Sequence, residues 1–185
     1  VIGAANSAVQ IAHELAQVSS VVLATRKSIR FFPQKILGVD FHAWLKWTGM
    51  EKTRWLNDQS TPVLDDGTYR RAIKQGLFER KPMFTEVTST GVIWADGQHT
   101  DVDSLVFATG FRPNLGFLAG LHVAGNKSLT QRNGKAEHVA GLYFVGLPKQ
   151  RNFASATLRG VGPDASHIIP GLMRFIHNAS YPVLA

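Results

Sequence analysis

The residues with the types and spacing to do chemistry lie at the start of the chain. Gly3-x-Ala5-x-x-Ala8 stands between the β-favouring pair Val1-Ile2 and a helical stripe of Ala8, Ile11, Ala12, Leu15 and Ala16. A glycine turn aimed at a helix N-terminus presents unpaired N–H groups and the positive end of the helix dipole, which suits a pyrophosphate. Asn6 and Ser7 are both N-cap types and predict the helix start. About 20 residues past such a turn, an Asp or Glu commonly holds a ribose 2′-hydroxyl. Here the predicted strand Val21–Ala24 ends in Thr25-Arg26-Lys27, with Arg30 close behind and no acid. Two cations suit a 2′-phosphate, onto which a guanidinium forks well. The pattern predicts NADP binding; a plain βα turn and a solvated strand end are the alternatives. Ala5 stands where the motif has glycine and narrows the approach to the phosphates.

Two later stretches carry the same kind of promise. Leu105-Val106-Phe107-Ala108 is the strongest strand signal and delivers a turn, Thr109-Gly110, at its carboxyl end, where ligands sit in parallel sheets. A second apolar run, Gly141–Gly146, predicts another buried strand. Arg159-Gly160-Val161-Gly162-Pro163-Asp164-Ala165 then reads as a glycine-rich entry to a helix running to about His177, with Pro163 near its start and Pro170 kinking it. A simple capped turn is the alternative for Gly160 and Gly162.

The elements that must position these residues alternate between helix and strand. Phe31-Phe32-Pro33-Gln34 is not expected to continue a strand, and Val39–Trp47 reads as a helix ended by Gly49, with Trp55 and Leu56 packed on it. Asp66 or Thr68 is expected to cap a helix from Tyr69 to Gln75, stopped by Gly76; Asp65-Asp66 reads as capping rather than as a catalytic acid pair. Leu77–Arg80 is a predicted strand. An antiparallel meander follows, with Phe84–Thr88, Val92–Ala95 and a turn at Asp96-Gly97. Asn133-Gly134 marks a further turn.

The chain has 185 residues, 44% of them hydrophobic, enough for one sizeable domain or two small ones. Cys is 0, which excludes disulfides, zinc-thiolate sites and thiol redox chemistry, and disfavours a disulfide reductase. The net charge is +7, but the cations are scattered, so a basic cofactor-binding enzyme explains it better than nucleic acid. No apolar run is long enough to span a bilayer and no signal peptide is visible, so a cytoplasmic protein without membrane association is expected. The sequons Asn126-Lys127-Ser128 and Asn178-Ala179-Ser180 read as chance matches. The seven His residues show no ligand spacing and no metal site is expected. Neither a Walker loop nor G-x-S-x-G is present, and no proton-transfer residue can be named. Val1 reads as lying inside a strand, so the sequence is expected to be part of a longer chain.

Gly-x-Ala-Asn-Ser-Ala, Ala-Thr-Arg-Lys, Thr-Pro-Val-Leu-Asp-x-Gly, Phe-Ala-Thr-Gly-Phe-Arg-Pro-Asn and Gly-Leu-Tyr-Phe-Val-Gly-Leu follow one another in an order and spacing that resembles the flavin-containing monooxygenases of the bacterial and plant class B type. The family's N-terminal FAD fingerprint and its F-x-G-x-x-x-H signature are absent. The resemblance implies an α/β fold: a Rossmann-type NADPH-binding domain with an antiparallel insertion over 1–104, then the C-terminal part of an FAD-binding domain over 105–185. It implies that Gly3, Ala5, Asn6, Ser7 and Ala8 face the NADPH pyrophosphate, that Arg26 and Lys27 face its 2′-phosphate, and that Thr109 and Gly110 lie near FAD. Gly146 would approach FAD, and Gly160, Val161 and Gly162 would bring a helix N-terminus to the flavin pyrimidine edge. The implied activity is oxygenation of a small nucleophilic or carbonyl substrate with O₂ through an FAD hydroperoxide. The alternatives are an NADPH:acceptor flavoprotein reductase and a dinucleotide-binding module without turnover. Beyond the small-molecule substrate, a homodimer is the partner to test for.

Overall fold

The computed structural model describes residues 1–53, 62–121, 124–125 and 128–178, with the backbone alone at 124–125 and 128–129. Trp55, Leu56 and parts of both sequons lie outside the described residues. The chain is mixed α/β and divides into two units, Val1–Trp44 with Gln59–Phe111, and Leu45–Asp58 with Arg112–Ala185.

The first unit runs α1 (Asn6–Leu15), β1 (Val22–Thr25), β2 (Phe31–Pro33), β3 (Lys35–Ile36), β4 (Val39–Asp40) and into α2 (Phe41–Trp47). It resumes with β5 (Val63–Asp65), α3 (Thr68–Lys74), β6 (Glu79–Pro82) and the meander β7 (Glu86–Val87), β8 (Gly91–Ile93) and β9 (His99–Asp101). β1 pairs in parallel with β6, Leu23 opposite Arg80. On its other side β1 meets Ile2, which bridges Ala24 and, in parallel, Phe107. The lines of backbone therefore lie in the order 79–82, 22–25, 1–3, 106–108. Side chains alternate across this array. Leu23 packs under α1 with Ala8, Val9 and Ala12. Ile2 and Ala24 point the other way, onto Val92 and Trp94 of the meander. Burying Leu23 contributes about 1.5–3 kcal/mol by transfer from water, so both layers hold the turn after Gly3 in place.

Where the structure departs from the sequence reading, the cause is local. α1 begins at Asn6, and no side chain among the described residues caps it. Phe31–Pro33 does form a strand, paired in parallel with β5. The bonds to β5 come from Arg30 O, which accepts from Val63 N–H, and from Gln34 N–H, which donates to Asp65 O, so the nitrogen of Pro33 faces away from the pairing and its missing N–H costs no bond there. Val39–Asp40 belongs to a hairpin with β3 instead of to the helix, turned through Leu37 and Gly38 at φ of 51° and 77°. Asp40 Oδ1 then accepts from His42 N–H (2.8 Å) and starts α2. α3 starts at Thr68, but its cap is richer than expected. Buried Asp65 accepts from the N–H groups of Gly67, Tyr69 and Arg70, while Asp66 takes that of Thr68. The strand expected at 77–80 is shifted to β6 because Phe78 is drawn into the core below α1.

Leu105–Ala108, read as a buried strand, forms a single bridge among the described residues, and Phe107 is 67% exposed. It hydrogen-bonds on one edge, to Ile2, through Ile2 N–H to Val106 O and Ala108 N–H to Ile2 O, each 2.8 Å.

The second unit contains β10 (Ala124–Gly125), β11 (Ser128–Leu129), β12 (Gln131–Arg132), β13 (Lys135–Ala136) and α4 (Leu158–Asn178). Its core joins Leu118, Ala136 and Phe144. The predicted turn at Asn133-Gly134 joins β12 to β13. Among the described residues Gly141–Gly146 reduces to one antiparallel bridge, Tyr143 to Lys135. α4 is the larger correction. It spans 21 residues with Gly160, Gly162, Pro163 and Pro170 inside it. Its inward stripe of Gly160, Asp164, Ile168, Gly171 and Phe175 runs unbroken, while both prolines are exposed. Packing along that stripe carries the helix through two residues that would otherwise end it.

Candidate functional site

Gly3 leaves the array with φ of 145°, and a Cβ there would collide with the carbonyl oxygen of Ala108 and crowd the Ala8 methyl. Only glycine lets the strand and the start of α1 approach this closely. Ala8 is fully buried and its single methyl fills the gap a larger residue could not enter. Ala5 is exposed and extended, with φ of −106°, so its place in the motif demands no glycine backbone. Val9 N–H makes the first bond of α1, to Ala5 O (3.2 Å). That leaves the N–H groups of Asn6, Ser7 and Ala8 without an acceptor among the described residues. Asn6 does not cap its own helix because its Oδ1 accepts from Leu64 N–H (3.1 Å), tying α1 to β5. The result is a helix N-terminus with free donors and an undischarged dipole.

That N-terminus sits at a reversal of strand order. From the line 1–3 the chain moves outward through β1 and β6 on one side and returns at 106–108 on the other. Ligands of parallel α/β sheets bind outside the carboxyl ends of strands at such a point. Gly3 and Ala108 are in contact there, and the exposed Thr109-Gly110 leaves beside them. Arg26 and Lys27 follow directly on β1 and are exposed, with no hydrogen bond or ion pair to another described residue. The structure thus brings Gly3, Ala5, Asn6, Ser7, Ala8, Thr109 and Gly110 to the carboxyl edge of one parallel array, and puts Arg26 and Lys27 at the carboxyl end of its next strand. The open N–H groups and unpaired cations fit an anionic dinucleotide.

The remaining expected residues are in the second unit. Gly146 has φ of 86° with no described residue near its Cβ position. Gly160 is spoken for: a Cβ there would strike the backbone of Ala154, in the 3₁₀ turn Phe153–Ala156. Asn152 and Ser155 cap that turn reciprocally, and Arg151 anchors it to α4 through Asp164 Oδ1 and Pro163 O, both 3.1 Å. Val161 and Gly162 are exposed, and Gly162 has open space around it. An open groove of about 890 Å³ also lies in this unit, between α4 and β12–β13, with Arg132, Lys135, His167 and Arg174 among its walls. It contains none of the residues expected to hold a cofactor.

One residue escaped the sequence reading. Arg80 Nε donates to Thr25 Oγ1 at 2.9 Å. No motif marks it, since only the β1–β6 register brings it beside the Thr-Arg-Lys strand end.

No family model matches the chain. Curated relatives do. An uncharacterized CzcO-like oxidoreductase of Geobacillus kaustophilus is 29% identical over 180 residues, which is 94% of this chain and 51% of the relative. An indole-3-pyruvate monooxygenase of rice, YUCCA4, is 27% identical over 98% of this chain and 48% of its own length. Among solved structures, a flavin-containing monooxygenase from Stenotrophomonas maltophilia superposes with a TM-score of 0.71 at 24% identity. This chain resembles the flavin monooxygenases. A mutant of the Stenotrophomonas enzyme gives a TM-score of 0.73 and 23% identity, covering 95% of this chain and 50% of that one. The chain spans about half the length of the curated relatives it matches.

Proposed function

We propose that this chain contributes the NADPH-binding part and a portion of the FAD-binding part of a flavoprotein monooxygenase. In this reading residues 1–104 form a Rossmann-type NADPH domain with an antiparallel insertion, and residues 105–185 belong to the FAD domain. The observation that carries it is the uncapped start of α1 at the strand-order reversal, with the free cations Arg26 and Lys27 on the neighbouring strand end. The N–H groups of Ser7 and Ala8 would hold the pyrophosphate, with Gly3 and Ala5 leaving it room. Arg26 and Lys27 would hold the 2′-phosphate. Thr109 and Gly110 would line the neighbouring strand end on the way to FAD, and Gly146, Val161 and Gly162 would offer backbone to it. Gly160 would act through packing, by seating the start of α4. FAD, when bound and reduced by NADPH, supplies the activation of O₂ for transfer of one oxygen atom to a small nucleophilic or carbonyl substrate. What this chain's residues contribute is dinucleotide grip and the exclusion of water from the reduced cofactor.

Dissociation constants for NADPH and NADH test the grip. A lost charge-assisted contact to phosphate costs about 1.5–3 kcal/mol, so Arg26→Ala should weaken NADPH about tenfold or more and leave NADH nearly unchanged. Equal losses for both, or no preference in the unaltered chain, would overturn the assignment. For the oxygenation itself, Lys27→Ala in a protein of the relatives' full length should raise the peroxide released per NADPH consumed. Rapid reduction of an artificial acceptor with no oxygenated product from a sulfide, amine or ketone would refute the monooxygenase reading.

A further inference from the structure

We infer that Arg80 is a third cation of the 2′-phosphate subsite, aimed by Thr25, and that it sharpens the choice of a 2′-phosphorylated adenosine over its unphosphorylated counterpart. The inference rests on the NADPH reading above. Thr25 is the last residue of β1 and is 2% exposed, so its hydroxyl is held by the fold. That hydroxyl accepts from Arg80 Nε at 2.9 Å. In the parallel register Arg80 lies opposite Leu23, so its side chain shares the face on which Leu23 packs under α1. Lys81, one residue on, points to the other face, where its ammonium stands over the Trp94 ring and near Glu79. Arg80 makes no ion pair with a described residue, and its terminal guanidinium nitrogens have no partner among them. An arginine held by Nε alone keeps its outer pair of donors free for one bidentate anion. It stands beside the residue that directly precedes Arg26 and Lys27. A single Thr-anchored guanidinium is pre-organised in a way that two exposed, unanchored cations are not, so it should add selectivity out of proportion to its charge.

The probes are 2′,5′-ADP and 5′-AMP, which differ by the 2′-phosphate alone and need neither FAD nor turnover. Binding is measured by calorimetry on the whole chain, with a melting curve for each variant. The expected result is that Arg80→Met weakens 2′,5′-ADP about tenfold and leaves 5′-AMP unchanged. Thr25→Val, which removes the anchor but keeps the charge, should weaken 2′,5′-ADP about threefold. Arg80→Gln, which keeps a donor for Thr25, should match Arg80→Met and serves if that variant does not fold. If Arg26→Met weakens 2′,5′-ADP while both Arg80 variants bind it as the unaltered chain does, the inference fails and the NADPH reading stands. If the unaltered chain does not distinguish the two probes, the NADPH reading fails and takes this inference with it.

Discussion

The starts of α1 and α4 look alike as sequence and differ as structures. Each is a short glycine-containing stretch leading into an apolar helix. At α1 the glycine lies before the helix, in contact with the carboxyl end of a neighbouring strand, and no described side chain caps the first turn. At α4 both glycines are inside the helix, and Gly160 is pressed against the backbone of Ala154. A helix N-terminus serves a ligand only while its donors are left open. A glycine can leave room for that ligand or for the protein's own backbone. The start of α3 shows the third outcome: two aspartates consume its donors completely.

The sharpest way to break this contrast is at Gly3. Gly3→Ala combines overpacking against the Ala108 carbonyl with strain at positive φ, and should cost about 3–5 kcal/mol in urea unfolding. A loss below about 1 kcal/mol would mean that the strand and α1 do not need their close approach. At α4 the two glycines should respond in opposite directions. Gly160→Ala should destabilise by about 1–3 kcal/mol through overpacking on the 3₁₀ turn. Gly162→Ala has open space and an ordinary helical backbone, so it should stabilise by about 0.5–1 kcal/mol. Equal effects at the two positions would contradict the packing role given to Gly160.

The smallest expected effect concerns pH. The Asp66 carboxyl is held below its ordinary value by hydrogen bonding from the Thr68 hydroxyl and then from its backbone N–H. A carboxylate whose folded value is depressed stabilises the fold above its unfolded value of about 3.9, and that contribution is lost as pH falls through the folded value. Asp66→Ala should therefore lower the melting temperature slightly at pH 7 and leave it unchanged at a pH below both values. A difference that persists in strong acid would show that the cap acts by some means other than its charge.

The first turn was legible because everything it needs is contiguous: Gly3, the Ala8 stripe and the Arg26-Lys27 strand end lie within one βαβ length. The array beyond it was less so. The runs at 105–108 and 141–146 have the apolar content of buried strands, yet each finds one bridging partner among the described residues, and a strand's burial depends on neighbours that composition does not reveal. Leu37 at positive φ opens a hairpin that no Asn-Gly or Asp-Gly pair announces. Arg80 was missed because its placement comes from tertiary register, across β1 and β6. Asp65 was legible as part of a capping pair because the N–H groups it takes lie within five residues of it.

The central claim is that the open start of α1 binds the pyrophosphate of NADPH. The most direct measurement is an amide NMR titration of the isotope-labelled chain with NADP⁺. The account predicts that the backbone N–H signals of Asn6, Ser7 and Ala8 move downfield and saturate together, with Arg26 and Lys27 following and the first turn of α3 unmoved. Saturating shifts confined to the basic groove around Arg132 and Arg174, with Ser7 and Ala8 unchanged, would contradict it.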